Sequence, residues 1–149
     1  MTVAIEPMRI KDLGEVLEIE RLSFPIPWSK RTFLYELLEN EQAVYLVAWE
    51  AKKIRGYIGM WMVIDEGHIT NLAVHPAYRR RGIGRVLLET LIMESAKRGI
   101  HRLTLEVRRS NLGAQALYGR MGFKNAGIRP RYYQDNREDA MIMWKGLQN

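Results

Sequence analysis

The sequence has no cysteine, which excludes a disulfide framework, thiolate metal sites and a cysteine nucleophile, and leaves the redox compartment open. Its three histidines, His68, His75 and His101, share no metal-ligand spacing. No serine sits in a nucleophile elbow. Neither a metal nor a covalent intermediate is therefore expected. No apolar run approaches the roughly 20 residues that span a bilayer, and Met1 to Glu15 lacks the basic-then-apolar order of a secretion signal, so the cytoplasm is the default expectation. There is no repeat, no low-complexity tract and no Pro/Gly/Ser-rich linker, and residues 1–149 are expected to form a single domain. Two nucleotide-binding loops are also missing: no Gly-Lys-Ser/Thr occurs, and Gly82-Ile83-Gly84 lacks the third glycine of the dinucleotide fingerprint.

What is present is an ordinary globular composition, 47% hydrophobic and 27% charged over 149 residues, enough to bury a core without staples. The net charge of +6 attracts anions, whether nucleic acid, an acidic surface or a polyphosphate cofactor. Arg79, Arg80, Arg81 and Arg85 crowd around Gly82 and Gly84, tying positive charge to a particular backbone shape.

Val3 to Arg9 reads as a short strand. A helix follows over Asp12 to Phe24, with Leu13, Val16, Leu17 and Ile19 to Leu22 at helical spacing, and Pro25 and Pro27 break it. Ser29 is an N-cap ahead of a second helix bearing Phe33, Leu34, Leu37 and Leu38. Ala43 to Trp49 and Arg55 to Ile64 are rich in β-branched and aromatic residues around a polar turn, and His68 to Val74 makes a further, adjacent strand. From Ile83 the apolar residues Leu87, Leu88, Leu91, Ile92 and Ala96 predict a helix that Gly99 stops. The alternation Leu103, Leu105, Val107 marks a strand. Leu112 to Met121 forms the last helix, and Phe123 to Ile128 and Ala140 to Trp144 the last strands, around a polar loop with Tyr132 and Tyr133. The order predicts an α/β (α+β) fold with a mixed, mostly antiparallel sheet of about six to seven strands and about four helices.

The segment from Ile69 to Leu88 runs strand, arginine/glycine loop, helix, an anion-binding design: glycines let successive N–H groups converge at a helix N-terminus whose dipole favours negative charge, and arginines add charge-assisted hydrogen bonds. Taken alone, Arg81-Gly82-Ile83-Gly84 reads equally as a solvated basic turn. Its surroundings carry more. Leu72-Ala73-Val74-His75-Pro76 followed by Arg79-x-x-Gly82-x-Gly84 resembles motif A of the GCN5-related N-acetyltransferase (GNAT) superfamily. Leu105-Glu106-Val107-Arg108 through Asn111, then Ala116-Leu117-Tyr118 and Gly122-Phe123, resembles that superfamily's next motif in the expected order.

The resemblance implies the GNAT fold, acetyl-CoA as cosubstrate and no metal. It also implies that the backbone of Leu72, Ala73 and Val74 holds the pantetheine arm as an added strand, with an N–H available to the thioester oxygen. Arg79, Arg80, Arg81, Gly82, Ile83, Gly84 and Arg85 would take the pyrophosphate. Making an amide from an amine and a thioester requires the amine's proton to be removed and the departing sulfur to receive one. The resemblance assigns the first task to Glu106 as general base, directly or through a water, and the second to Tyr118 as general acid, which also contacts the coenzyme. Asn111 would cap its helix or hydrogen-bond the coenzyme.

Phe24-Pro25-Ile26-Pro27-Trp28-Ser29, Arg131-Tyr132-Tyr133 and Arg137-Glu138-Asp139-Ala140 are similar to the RimI-like branch of the superfamily, which acetylates the N-terminal alanine of ribosomal protein bS18. Trp28, Tyr132 and Tyr133 are then candidate substrate contacts, whereas Phe24 reads rather as a packing residue. An α-amino group, with a reference pKa near 8, is partly neutral at pH 7, whereas lysine at about 10.4 is almost wholly protonated. A ribosomal acceptor is itself basic, so bulk attraction does not explain recognition by a chain of net charge +6. Asp65, Glu66 or Asp135 are candidates for pairing with acceptor arginines. The other readings are a protein-lysine or small-amine (polyamine-like) acetyltransferase, and a non-catalytic basic RNA- or ribosome-binding module. Against the module, the basic residues form no continuous stripe with aromatics, and direct nucleic-acid binding is not required.

Overall fold

Strand pairing in the computed structural model, which describes residues 2–147, produces one seven-stranded sheet. Met1, Gln148 and Asn149, included in the expected domain, lie outside the described residues. The elements run β1 (Ala4–Pro7), α1 (Leu13–Ser23), α2 (Lys30–Leu38), β2 (Ala43–Glu50), β3 (Lys53–Val63), β4 (Glu66–Val74), α3 (Ile83–Lys97), β5 (Arg102–Arg108), α4 (Leu112–Arg120), β6 (Lys124–Arg129) and β7 (Ala140–Gly146). Spatial order is β1-β2-β3-β4-β5-β7-β6, antiparallel throughout except for the parallel pair β4 and β5.

Side-chain alternation puts a core on each face of the sheet. Val44, Leu46, Ile58 and Met60 face Leu87, Leu88 and Leu91 of α3, while Tyr45, Val47 and Tyr57 face Leu13, Val16 and Ile19 of α1 and Phe33 of α2. Local signals begin and end the helices as their chemistry dictates. Ser29 Oγ accepts from Thr32 N–H at 3.2 Å, and Gly82 (φ 82°) and Gly99 (φ 79°) bracket α3 in conformations that a Cβ disfavours.

Element ends differ from expectation where a partner strand decides them. The first strand stops at Pro7, because residues 10–12 wind into a short 3-10 turn in which Asp12 Oδ2 accepts from Arg9 N–H at 2.8 Å. β3 begins at Lys53, the turn shrinking to Ala51 and Lys52, both at positive φ. Ile64, expected to end that strand, sits instead in the next turn and is 96% exposed. Two helix faces are rotated from the expected ones. Leu22 and Leu38 face solvent while Glu20 and Glu36 are buried, because each carboxylate accepts a hydrogen bond from a sheet tyrosine, Tyr57 and Tyr45 respectively.

Two irregularities open the sheet. On β4, Gly59 pairs with Asn71 and Met60 with Ile69, leaving Thr70 as an extra residue that bends the strand. The β4–β5 ladder covers only Glu66–His68 against Arg102–Thr104, so the two strands part beyond it. The groups on β4 that face β5 from Ile69 onward have no ladder partner.

Candidate active site

The parted strands form the floor of a cleft of about 810 Å³. Phe24, Pro25, Ile26 and Trp28, between α1 and α2, form one wall, and Tyr132 and Tyr133, from the loop between β6 and β7, another. Asn71 and Leu72 enter from β4, Leu105 to Arg108 from β5, and Asn111 and Tyr118 from the segment carrying α4.

Glu106 is the most connected carboxylate in the cleft. Its side chain is 9% exposed, and Oε1 accepts from His68 Nε2 at 2.9 Å and from the Tyr132 hydroxyl at 3.4 Å, while Arg129 Nε lies 3.9 Å from Oε2. The His68 hydrogen bond holds its carboxyl below the usual carboxylate value against the opposing effect of burial, with the charges of His68 and Arg129 adding to the shift. Tyr118 packs its ring edge-on against Phe123 at 5.6 Å. Its hydroxyl forms no hydrogen bond among the described residues, and burial pushes the phenol upward.

The tyrosine wall is built from β5. Arg108 donates to Asp135 Oδ2 at 3.0 Å and to Glu138 Oε1 at 3.4 Å, and its guanidinium lies 4.0 Å over the Tyr133 ring. Glu138 Oε2 accepts from Ser110 N–H at 2.5 Å, and hydrogen bonds to Ser110 hold its carboxyl down at about 2. Burial drives the Tyr133 phenol up to about 12, with Arg108 opposing. Tyr132 meets Tyr133 edge-on at 5.1 Å, and burial, followed by the charge of Glu106, raises its phenol too.

At the far end of β4, Arg80 (φ 64°) and Gly82 turn the chain into α3. The first hydrogen bond there runs from Val86 N–H to Gly82 O at 3.1 Å, so the N–H groups of Ile83, Gly84 and Arg85 project from a helix N-terminus. A Cβ on Gly84 would come no nearer than 3.5 Å to Leu117 and 3.6 Å to Val74. Free backbone N–H groups at a helix N-terminus beside arginine side chains are the donors that an anionic group such as a pyrophosphate takes.

The family model for the acetyltransferase (GNAT) family matches residues 13–123 of the chain. The chain belongs to the acetyltransferase (GNAT) family. It is 41% identical over 141 residues to the [ribosomal protein bS18]-alanine N-acetyltransferase of Escherichia coli (strain K12), covering 93% of this chain and 94% of that one. Identity reaches 45% over 141 residues, covering 95% and 93%, with a Bacillus subtilis (strain 168) protein provisionally named for the same activity. The crystal structure of the Escherichia coli ribosomal-protein-S18-alanine N-acetyltransferase superposes with a TM-score of 0.90 at 39% identity over 99% of this chain and 96% of that one.

As a GNAT enzyme the chain uses acetyl-CoA, and its own features fit that molecule: an unpaired β4 edge for an extended arm, and the α3 N-terminus for phosphates. Among the described residues no cluster that could hold a metal exists. No helix of the described residues is long and apolar enough to cross a membrane.

Of the expected site residues, Leu72, Glu106, Asn111, Tyr118, Trp28, Tyr132 and Tyr133 all line the one cleft. Ala73, Val74 and the arginine loop do not; they continue from it along β4 to α3. Two details differ from the sequence reading, those of Arg79 and of the carboxylates Glu66 and Asp135. Arg79 turns inward, its Nε donating to Val74 O at 2.9 Å and a terminal NH2 to Ser23 Oγ at 3.3 Å, so it braces the loop rather than presenting its guanidinium freely. Asn111 takes one of its two expected roles, capping α4 by accepting from Ala114 N–H at 3.1 Å. Glu66 and Asp135, considered for acceptor arginines, are paired internally, with Arg102 at 2.5 Å and with Arg108. Sequence reasoning missed His68, which it considered only as a metal ligand, and Arg108 as the anchor of the tyrosine loop. No local signal marks either, because each acts on a residue distant in the chain.

Proposed function

We propose that the chain transfers the acetyl group of acetyl-CoA to the N-terminal α-amino group of a protein, foremost the N-terminal alanine of ribosomal protein bS18, and that it does so in the cytoplasm as a single N-acetyltransferase domain. The observation that carries this reading is one cleft holding the Glu106 carboxylate, the Tyr118 hydroxyl and the unpaired edge of β4 between two aromatic walls. The named activity of relatives at 41% identity over nearly the whole chain supports the same acceptor.

Bound acetyl-CoA supplies the thioester carbonyl that the amine attacks. The chain supplies position and protons. Backbone N–H groups of Ile83 to Arg85, with the arginine side chains around them, hold the pyrophosphate, and the β4 edge at Leu72 to Val74 aligns the arm. Glu106, kept ionised at neutral pH by its hydrogen bond from His68, takes the amine's proton at Oε1 or Oε2, directly or through a water. Tyr118 keeps its phenolic proton because burial raises its pKa, and its Oη gives that proton to the departing sulfur. Trp28, Tyr132 and Tyr133 line the route by which the peptide's first residues enter. Two protons leave the ammonium nitrogen as the C–N bond forms and the C–S bond breaks; one is balanced by the thiol and one passes to solvent.

Incubation of the protein with acetyl-CoA and alanine-initiated peptides whose N-termini are free or blocked, followed by mass spectrometry, tests this. Acetyl on the α-nitrogen of the free peptides is expected. Modification of the blocked peptides at lysine would overturn the N-terminal assignment.

A further inference from the structure

The backbone of the segment from Phe24 to Trp28 is hydrogen-bonded at both ends to one residue. Glu20, one turn before the end of α1, is 2% exposed and borders the cleft. Its backbone oxygen accepts from Phe24 N–H at 3.1 Å, and its carboxylate Oε2 accepts from Trp28 N–H at 2.8 Å. Oε1 accepts from the Tyr57 hydroxyl on β3. Pro25 and Pro27 have no N–H to offer, and among the described residues the two backbone N–H hydrogen bonds of the segment, from Phe24 and Trp28, both run to Glu20.

Among the described residues no lysine, arginine or histidine pairs with this carboxylate. Burying a charge without a cation is unfavourable unless hydrogen bonds replace the water it loses, and desolvation is the main cause raising its pKa. The hydrogen bonds it receives therefore fix its place, and through them the place of the loop. Ile26, 61% exposed, stands at the apex of that loop on the cleft side, and Trp28 is held against Phe33 with ring centres 5.3 Å apart.

We propose that Glu20 is a positioning residue for acceptor recognition: by closing the Phe24–Trp28 segment onto α1 and β3, it sets the wall on which the first residues of the acceptor lie. This rests on the reading of the cleft as a site for a protein N-terminus. Glu20 touches no reacting atom in this role; it acts through the loop.

The test uses the full chain with acetyl-CoA and a free alanine-initiated peptide, comparing the unaltered protein with Glu20→Gln and Glu20→Ala. If the unaltered protein does not acetylate the peptide, the acceptor reading fails rather than this inference. Given that activity, Glu20→Ala is expected to raise the peptide KM by a factor on the order of 10 to 100, the scale of a misplaced binding contact, with kcat and the acetyl-CoA KM within about twofold. Glu20→Gln keeps an oxygen for Trp28 N–H and is expected to recover most of the loss. A fall in kcat in both variants with a displaced pH profile and an unmoved peptide KM would make Glu20 a proton acceptor and overturn the proposal. A lowered Tm with both KM values unmoved would reduce it to core packing and overturn it as well. Should Glu20→Ala fail to fold, amide hydrogen exchange on the unaltered protein decides: Trp28 N–H is expected to be protected relative to Ile26 N–H, and equal, fast exchange at both overturns the clamp.

Discussion

Replacing Glu106 by glutamine separates chemistry from structure, because the amide is nearly the same size and only its proton affinity is lost. The glutamine oxygen can still accept from His68 and from Tyr132, the two hydrogen bonds that Oε1 accepts at 2.9 and 3.4 Å. What disappears structurally is the negative charge: the 2.9 Å hydrogen bond from His68 loses its charge assistance, and the 3.9 Å ion pair with Arg129, 55% exposed against 9% for Glu106, is lost. With the arginine end open to solvent and the separation long, the lost pair costs on the order of 1 kcal/mol. For a domain of this size that is a Tm shift of roughly 2–4 °C or less. What disappears chemically is a positioned base, worth about 10²–10⁴ in rate, or roughly 3–5 kcal/mol of barrier at about 1.4 kcal/mol per decade. The kinetic loss should therefore exceed the stability loss severalfold. Thiol release at saturating acetyl-CoA and peptide measures kcat, and thermal unfolding of the same preparation measures the structural cost. A kcat within threefold of the unaltered enzyme between about pH 6 and pH 9 would show that Glu106 is not the base, whatever its hydrogen bonds. A Tm collapse alongside the lost rate would show that the glutamate is structural.

Tyr118→Phe should lower kcat by about 10²-fold with Tm nearly unchanged, since the hydroxyl has no hydrogen-bond partner among the described residues while the ring keeps its contact with Phe123; calorimetry and steady-state rates check both halves. His68→Ala removes the main influence lowering the Glu106 carboxyl, so the acidic limb of the kcat/KM profile should move to higher pH, and an unmoved limb would dissociate the two residues. The sign for stability agrees: a depressed carboxylate stabilises the fold above its unfolded pKa and loses that contribution as pH falls through its folded value, so the variant should lose less stability on acidification. Gly59→Ala should destabilise by about 1–3 kcal/mol, because its Cβ would fall 2.6 Å from Asn71 Oδ1 and against the Tyr45 ring, at the β4 bulge that opens the cleft; denaturant unfolding reads the loss.

Most of the fold was legible because its signals are local. Helix caps at Ser29 and Asn111, the Gly99 stop of α3, and the alternation through Leu103, Leu105 and Val107 act over a few residues, and the chain carries them all. The motif order was equally local, and it pointed to the arginine/glycine loop, Glu106 and Tyr118 as candidates without any knowledge of packing. Burial by apolar periodicity was less reliable. It placed Leu22 and Leu38 inside and passed over Glu20 and Glu36, because a carboxylate reads as a surface residue until a buried tyrosine hydroxyl is found opposite it.

What the sequence determined alone is therefore the element order, the helix ends and the membership of the acetyltransferase family. What the tertiary structure decided is how the side chains meet: His68 on Glu106, Arg108 holding the tyrosine loop, Arg79 bracing Val74 and Ser23, and Glu20 closing the loop before α2. Each joins residues from different elements, or from the two ends of one loop. Their meeting depends on strand register, the Thr70 bulge and the parting of β4 from β5, and those are set by the packing of the two faces of the sheet rather than by any short stretch of chain.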